Sequence, residues 1–485
     1  SIRRQRQMCI RDRDKDMALL TRSRHHVDMT SGPLAGKILW FALPLIASGI
    51  LQQSFNVIDV AVIGHYSDSH DIAAVGSNGP IISIMVNLFV GIAVGANAVI
   101  ARYIGENKSD RIRESVGTVA IISIVSGLLL LAIGTTLTRP ILEAMSAPPD
   151  VIDQAEKYLR IFFCSMPFMM IYNFGGSILR SIGDTPKLFQ SLFVATLCNF
   201  LLDLLFTGQF GWGVEGVAWA TVISNAVNAA IMVFFLNHEN DPFKMPLNPH
   251  RWKLSMPDLK EMLRIGVPAG LQGMVFSISN IFIQSSINKF GADAIAGSAT
   301  ALTYEAYCYF IIGGINGAAI AFTSQNYGAG LKNRCKRVWA ISMAYAFGLS
   351  LLANFALIFF ENGALRVFTD IPEVIHYAKL RFHYVLMFQS IAASYEISGS
   401  YMRGLGYSVI PMLLTIFGSC VLRLIWVWVF PLIDYSYPTL LSIYPMSWAA
   451  TGVMVVIAAF IVQRKVFRTM PDSESMKLKE KPLVS

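Results

Sequence analysis

Apolar runs long enough to cross a bilayer recur along nearly the whole chain, separated by short polar stretches. A membrane-spanning helix needs about twenty such residues, and helices are the default because an isolated strand leaves its backbone unpaired in lipid. The pattern predicts an all-α membrane protein with twelve transmembrane helices. The predicted spans are Ile38–Ile63, Ala73–Ala101, Ser115–Leu137, Ile161–Leu179, Leu188–Phe206, Val217–Asn237, Ile265–Asn288, Ala294–Gln325, Val338–Phe360, Phe382–Met402, Val409–Leu432 and Ser447–Val462.

The charged residues give the expected orientation. Only 14% of the 485 residues are charged and 54% are hydrophobic, which does not suit a water-soluble domain. The leader through Lys37 holds nine of the 39 lysines and arginines, one set of alternate connections with the C-terminal tail holds 22, and the opposite set holds seven. By the positive-inside rule, the basic loops and both termini face the cytoplasm from a multi-pass position in the plasma membrane. The net charge of +8 therefore reports topology, and the basic loops lack the interleaved aromatics of a nucleic-acid surface.

The chain also repeats itself. Pro44 and Pro268 are 224 positions apart, and Gly183 and Gly406, which close similar motifs, are 223 apart. Each repeat holds six spans, so two six-helix bundles lie the same way up and are related by a pseudo-two-fold axis along the membrane normal. This is the architecture of transporters whose bundles rock around a central cavity.

The expected organisation follows from this repeat. It is a non-native or disordered leader at 1–28, an N-terminal bundle at 29–238, a cytoplasmic linker at 239–264, a C-terminal bundle at 265–467 and a cytoplasmic tail at 468–485.

Several chemistries lack the residues that they need. The six cysteines show no metal-type spacing, the histidines form no HExxH motif, and no GxxxxGK[ST] phosphate loop is present. An enzyme, which is the rival of a different class, would need a clustered His or Cys nucleophile set that we do not find. We therefore expect no enzyme activity and no cofactor beyond a coupling ion. The expected partners are a small-molecule substrate and the bilayer, and the expected state is a monomer.

Only five of the 70 charged side chains fall inside the predicted spans, namely Asp59, Asp203, Glu305, Glu396 and Arg423. Ionisable groups at membrane depth are costly and usually mark an ion or substrate path. These five positions are therefore the first candidates for function.

In the first half, polar groups cluster in the outer part of the membrane. Asp59 and Asp203 lie roughly 33 and 25 Å along their helices from the cytoplasmic edge, and Asn199 shares a helix face with Asp203 at spacing i, i+4. Thr221 lies roughly 12 Å in from the outside, and Asn173 should lie near mid-depth. The group suits either a small cation such as Na+ at Asp59, Asn199 and Asp203, or a coupled pair of high proton affinity. In the alternative reading, Asp59 only reaches the outer interface and Asp203 hydrogen-bonds within the bundle.

The repeat sharpens this hypothesis. The counterparts of Asp59, Asn199 and Asp203 at the repeat spacing are Ile283, Leu422 and Trp426. A structural role shared by both bundles does not predict such asymmetry, so the sequence places the cation site in the N-terminal bundle alone.

Glu305, Glu396 and Arg423 stand at intermediate depth in the second half, one on each of three helices. They are candidate substrate-cavity charges. Two interpretations are open: the three groups pair with each other, or a carboxylate faces the central cavity and attracts a cationic substrate.

Several motifs resemble the multidrug and toxic compound extrusion (MATE) family over about residues 29–467. The similar segments are Phe41-Ala42-Leu43-Pro44-Leu45-Ile46, Asn56-Val57-Ile58-Asp59, Leu179-Arg180-Ser181-Ile182-Gly183-Asp184-Thr185-Pro186, Gly213-Val214-Glu215-Gly216-Val217-Ala218-Trp219-Ala220-Thr221 and Ser324-Gln325-Asn326-Tyr327-Gly328-Ala329-Gly330.

The resemblance implies two bundles around a central cleft and export of organic, cationic or amphipathic compounds in exchange for inward Na+ or H+. The runner-up on the same scaffold is an exporter of lipid-linked or polar metabolites. Family cation-site positions fall on Asp59, Asn173, Asn199, Asp203 and Thr221. Two acidic positions that one branch carries in its C-terminal half are Phe276 and Ala392 here, so the resemblance does not extend to a cation site of that type.

Overall fold

A computed structural model describes residues 27–66, 69–144 and 152–470, which are almost entirely helical. For most of residues 55–80 only the backbone is described. The expectations for the leader before residue 27 and for the tail after residue 470 lie outside the described residues.

The first half consists of seven α-helices in the described ranges. These are α1 Leu34–Tyr66, α2 Ser69–Gly105, α3 Ser109–Ala144, α4 Ile152–Phe163, α5 Met166–Ile182, α6 Thr185–Asp203 and α7 Gly213–Asn237. Helices α4 and α5 form one span bent by 47°. A π-helical turn, Leu204–Gln209, directly follows α6.

The second half repeats this arrangement after a short 3-10 helix at Pro249–Arg251. Its helices are α8 Met256–Ile287, α9 Ala292–Gly328, α10 Lys332–Phe359, α11 Glu361–Arg366, α12 Pro372–Tyr384, α13 Ala392–Gly404, α14 Val409–Thr415, α15 Leu422–Ile433, α16 Tyr437–Leu441 and α17 Ile443–Thr469. Two further 3-10 helices lie at Asn288–Phe290 and Leu386–Ile391, and a π-helical turn, Ile416–Val421, joins α14 to α15.

Ten described stretches are long and apolar enough to cross a membrane, and the bent α4–α5 pair makes eleven. The tenth predicted span is the exception. It is broken into α12, the 3-10 helix Leu386–Ile391 and α13, and it carries the buried groups Arg381, Glu396 and Arg403. Because charge and broken geometry mark functional spans in membrane proteins, this element belongs to the candidate site described below.

Local sequence explains where the spans begin and end. Pro167 and Pro186 occupy the first turns of α5 and α6, where a missing backbone N–H costs nothing. Gly183 has φ +87° and closes α5, because only glycine adopts this left-handed conformation without strain. The Gly-Asp-Thr-Pro sequence thereby stops one helix and starts the next within three residues.

The two halves meet along a seam of glycines between α2 and α8, made of Gly91, Gly95, Gly266 and Gly270. A Cβ atom added to Gly91 would lie 2.1 Å from the backbone nitrogen of Gly270, and one added to Gly95 would lie 2.2 Å from the carbonyl oxygen of Met262. Backbones therefore touch directly, which side chains would prevent. We call this contact the glycine seam.

Further contacts between the halves lie at the side of the basic loops, which we call the basic side. Asp258 of α8 is fully buried and accepts hydrogen bonds from Tyr103 Oη and Ser115 Oγ, both at 2.9 Å. Arg111 lies 3.7 Å from the same carboxylate. All three partners belong to the first half, so one acid of the second half is held entirely by the first.

We expect Gly91→Ala to lower the free energy of unfolding by about 1–3 kcal/mol, because its methyl group overpacks backbone. Gly348→Ala on α10 is the matched control, since a Cβ there meets nothing within 4 Å and alanine favours a helix. The denaturation midpoints of the two purified variants measure the difference. Equal stability would show that the glycine seam tolerates side chains.

Candidate functional site

The N-terminal bundle carries a buried polar face at the end of α6. Asn199 is 1% exposed and Asp203 is fully buried. The spacing of four residues places both on one face, and α6 packs between α1 and α7. The π-helical turn begins at the residue after Asp203, and such turns are frequent at functional sites. A carboxylate and an amide are thus held together inside a membrane-spanning helix.

Two further candidates lie on the neighbouring helices. Thr221 is buried on α7, where its hydroxyl donates to the carbonyl of Val217 at 3.0 Å and its own carbonyl accepts from Asn225 at 2.9 Å. Asn173 is half-buried on α5, donates to the carbonyl of Met169 at 2.9 Å, and accepts from Arg180 through its backbone oxygen. Helix α5 packs against α7, so both residues lie on neighbouring helices of the same bundle.

Asp59 lies within α1, which packs against α6. Its side chain is outside the described part of the chain, so its place in the predicted site remains a prediction. The same holds for a Na+ shared by Asp59, Asn199 and Asp203.

The three charges of the C-terminal bundle have separate partners and do not pair with one another. The carboxylate of Glu305 accepts hydrogen bonds from Nε of Arg381 at 2.6 Å and from Nη2 of Arg381 at 3.0 Å, and both residues are buried. Bidentate pairs of this geometry are strong and rigid. Arg381 also lies over the ring of Tyr444 at 5.2 Å. Glu305 is therefore one partner of a buried ion pair and not an isolated cavity charge.

Glu396 is part of a hydrogen-bonded network that links three helices. It is 8% exposed and accepts from Tyr309 Oη at 2.9 Å and from Asn316 Nδ2 at 3.0 Å, both on α9. Ser400, one turn further along α13, donates to the Oδ1 oxygen of the same asparagine side chain. Arg403, at the end of α13, donates to Gln272 of α8 at 2.7 Å. The network thus joins α8, α9 and α13.

Arg423 lies in an aromatic cage. Its guanidinium is 4.6 Å from the ring centre of Tyr444, 5.6 Å from Phe276 and 6.0 Å from Trp448. Its side chain donates to Ser447 and Asn280, each at 3.3 Å. Both acceptors are neutral, so the side chain brings a positive charge into the bundle.

Sequence reasoning missed several members of these groups. Arg381 falls one residue outside the predicted tenth span, where it counts as a loop charge, and Arg403 falls just past the other end. The ends of a span shift by several residues when polar groups lie near them. The signal that could have found Arg403 is its repeat partner Arg180, 223 positions earlier.

Comparison of the sequence with known protein families identifies its relatives. The model of the MatE family matches residues 44–205 and, a second time, residues 268–429. The two matches begin 224 positions apart, which is the spacing of the internal repeat. The chain belongs to the MatE family. The resemblance drawn from its motifs to the MATE efflux transporters is therefore confirmed, as is the all-α fold of two six-helix bundles.

Relatives of this MATE chain have similar length and architecture. It is 28% identical over 382 residues to the probable multidrug resistance protein YoeA of Bacillus subtilis, covering 78% of this chain and 82% of the relative. It is 26% identical over 402 residues to the probable multidrug resistance protein NorM of Thermotoga maritima, covering 80% and 84%. A solved structure described as the outward-facing conformation of a multidrug resistance MATE family transporter superposes with a TM-score of 0.85 at 20% identity, covering 92% of this chain and 99% of that one.

Proposed function

We propose that this MATE transporter is a secondary active antiporter. It exports organic, cationic or amphipathic compounds in exchange for inward Na+ or H+ and acts by alternating access. The observation that carries the proposal is the complete burial of Asp203 beside Asn199 in a membrane-spanning helix, because a carboxylate held at that depth must be neutralised by a cation or a proton.

Neutralisation supplies a coupling mechanism. An ion that binds Asp203 in only one arrangement of the bundles shifts the population towards that arrangement. The contacts of Asp258 with Tyr103, Ser115 and Arg111 on the basic side support an arrangement that is closed on this side. With the basic side in the cytoplasm, the site would be loaded from outside and emptied inside. The names of the curated relatives, both called multidrug resistance proteins, support a broad range of exported compounds.

Transport in proteoliposomes tests the proposal. Purified protein should pump a fluorescent organic cation when an inward gradient of Na+ or H+ is imposed, and one of the two ions should suffice. Collapse of that gradient with an ionophore should stop pumping. Transport that persists without any gradient would contradict antiport, whereas gradient-driven transport of a polar lipid-linked compound but not of the cation would favour the alternative exporter.

A further inference from the structure

Arg423 has more hydrogen-bond donors than the protein provides acceptors for. A guanidinium carries five N–H groups, and within the described residues two of them have acceptors, both neutral and both at 3.3 Å. The side chain is 2% exposed, and no carboxylate of the described chain lies within ion-pair distance of it. A buried charge of this kind is costly unless an anion accompanies it.

The internal repeat shows where this charge lies relative to the cation site. Ahead of both π-helical turns, the repeat spacing is 223 positions: Leu192 and Thr415, which are 223 positions apart, are both buried. The turn Ile416–Val421 lies before Arg423, whereas the turn Leu204–Gln209 lies after Asp203. Because a π turn adds one residue to a helix, the spacing between the two turns becomes 224.

With this shift, the counterpart of Asn199 is Arg423 and not Leu422. The exposed fractions of the side chains support this change of spacing from 223 to 224. Asn199 and Arg423 are 1% and 2% exposed, whereas Phe200, which an unshifted spacing would pair with Arg423, is 37% exposed. The prediction that Asn199 has an apolar counterpart, Leu422, rested on the unshifted spacing and does not hold with the shifted one.

Other members of the candidate site have polar counterparts too. Asn173 corresponds to Glu396 at 223 positions, and each lies seven residues before a motif arginine. After the turn Leu204–Gln209 of the first half, the spacing returns to 223. Thr221 then corresponds to Tyr444, one wall of the cage around Arg423. The second bundle thus keeps polar groups at the equivalent places, with a guanidinium where the first bundle has an amide.

From this geometry we infer that the pocket around Arg423 is an anion-binding subsite, which takes the carboxylate of an aromatic compound carried by the transporter. A carboxylate fits because it can accept two parallel N–H donors from one guanidinium. The rings of Phe276, Tyr444 and Trp448 provide surfaces on which an aromatic body stacks. This inference rests on the proposed export function and extends its substrates to compounds that carry a negative group.

The cage around Arg423 is also connected to the contact between α2 and α8, where the two halves meet. Phe276 and Asn280 of the cage lie on α8, on either side of Ser277, whose hydroxyl accepts from Asn87 of α2 at 3.1 Å across the two halves. Rearrangement of α2 against α8 would therefore change the surroundings of Arg423. The π turn immediately before Arg423 gives α15 a place to adjust.

Binding of benzoate to purified, full-length protein in neutral lipid nanodiscs tests the inference without requiring transport. Benzoate should bind with measurable heat in calorimetry and should quench tryptophan fluorescence, because Trp448 lies in the cage. Benzamide, which has the same shape without the charge, should bind roughly tenfold or more weakly. Arg423→Gln should weaken benzoate binding by a similar factor, and Arg423→Lys should retain part of it.

Matched variants make the outcome specific. Arg403→Gln removes another buried arginine of the same bundle, whose acceptors are Gln272 and Ser400, and should leave benzoate affinity unchanged. Asp203→Asn should also bind benzoate normally, so failure of the coupling proposal and failure of this one are distinguishable. Equal affinity for benzoate and benzamide, or equal benzoate affinity in the Arg423→Gln variant, would overturn the inference. Loss of benzoate binding only in nanodiscs containing phosphatidylglycerol would assign the subsite to a lipid headgroup instead and overturn it equally.

Discussion

Asp203→Asn is expected to reduce gradient-driven efflux to the level of protein-free liposomes. Asparagine keeps the shape of the side chain but removes the charge that the proposed coupling ion would neutralise, so ion binding would no longer favour one arrangement of the bundles. Initial rates of fluorescent-cation efflux from proteoliposomes under an inward ion gradient, with protein amount determined in the same vesicles, measure the effect. Asp59→Asn is expected to have the same effect, which would bring its undescribed side chain into the site.

The matched control is Asp434→Asn. Asp434 lies in the short connection between α15 and α16, is exposed, and has a pKa lowered by hydrogen bonds from Ser436 and Thr439. It has no place in the proposed ion path, so its variant should transport at the parental rate. If Asp203→Asn transported as fast as Asp434→Asn, the coupling role of the buried carboxylate would be excluded.

Glu305→Gln is expected to lower the free energy of unfolding by about 3–5 kcal/mol, because it leaves the buried Arg381 without its counter-charge. Chemical denaturation of the purified protein in detergent measures the loss. The exposed pair of Arg139 and Glu143 on α3 provides the control, and Glu143→Gln should change stability by less than about 1 kcal/mol.

A double replacement distinguishes a role of the Glu305–Arg381 pair in folding from a role in transport. Glu305→Leu combined with Arg381→Met removes both charges and fills the space with apolar groups, so it should recover most of the stability that Glu305→Gln loses. Recovery of stability together with parental transport would show that this pair serves folding alone. A stable double variant that no longer transports would instead return Glu305 to the list of functional charges.

The sequence allowed the fold to be predicted because lipid leaves few alternatives. Each span must satisfy its own backbone, and the spacing of Pro44 and Pro268 already indicated two similar halves. The tenth span was the hardest to delimit. Its boundaries near Arg381 and Arg403 depend on side-chain partners in other helices, which hydrophobic periodicity does not contain.

The site was predictable only in part, for a related reason. Burial of Asn199 and Asp203 agrees with the expectation from helix spacing. The counterpart of Asn199 depends on a π turn, which leaves no mark in composition, yet shifts by one position the residues that lie between it and the π turn of the other half. Partners such as Tyr309 and Gln272 are ordinary helix residues in the sequence, and only tertiary packing shows that they bind Glu396 and Arg403.

The buried acid Asp258 has a consequence for leakage. Tyr103, Ser115 and Arg111 all hold the same carboxylate from the other half, so parting of the halves at this end exposes a charge that loses three partners. Water must reach the carboxylate as its donors withdraw, since an unhydrated charge would raise the barrier steeply. We therefore expect hydration of Asp258 to accompany opening at this end, which would limit leakage of ions through the proposed antiporter.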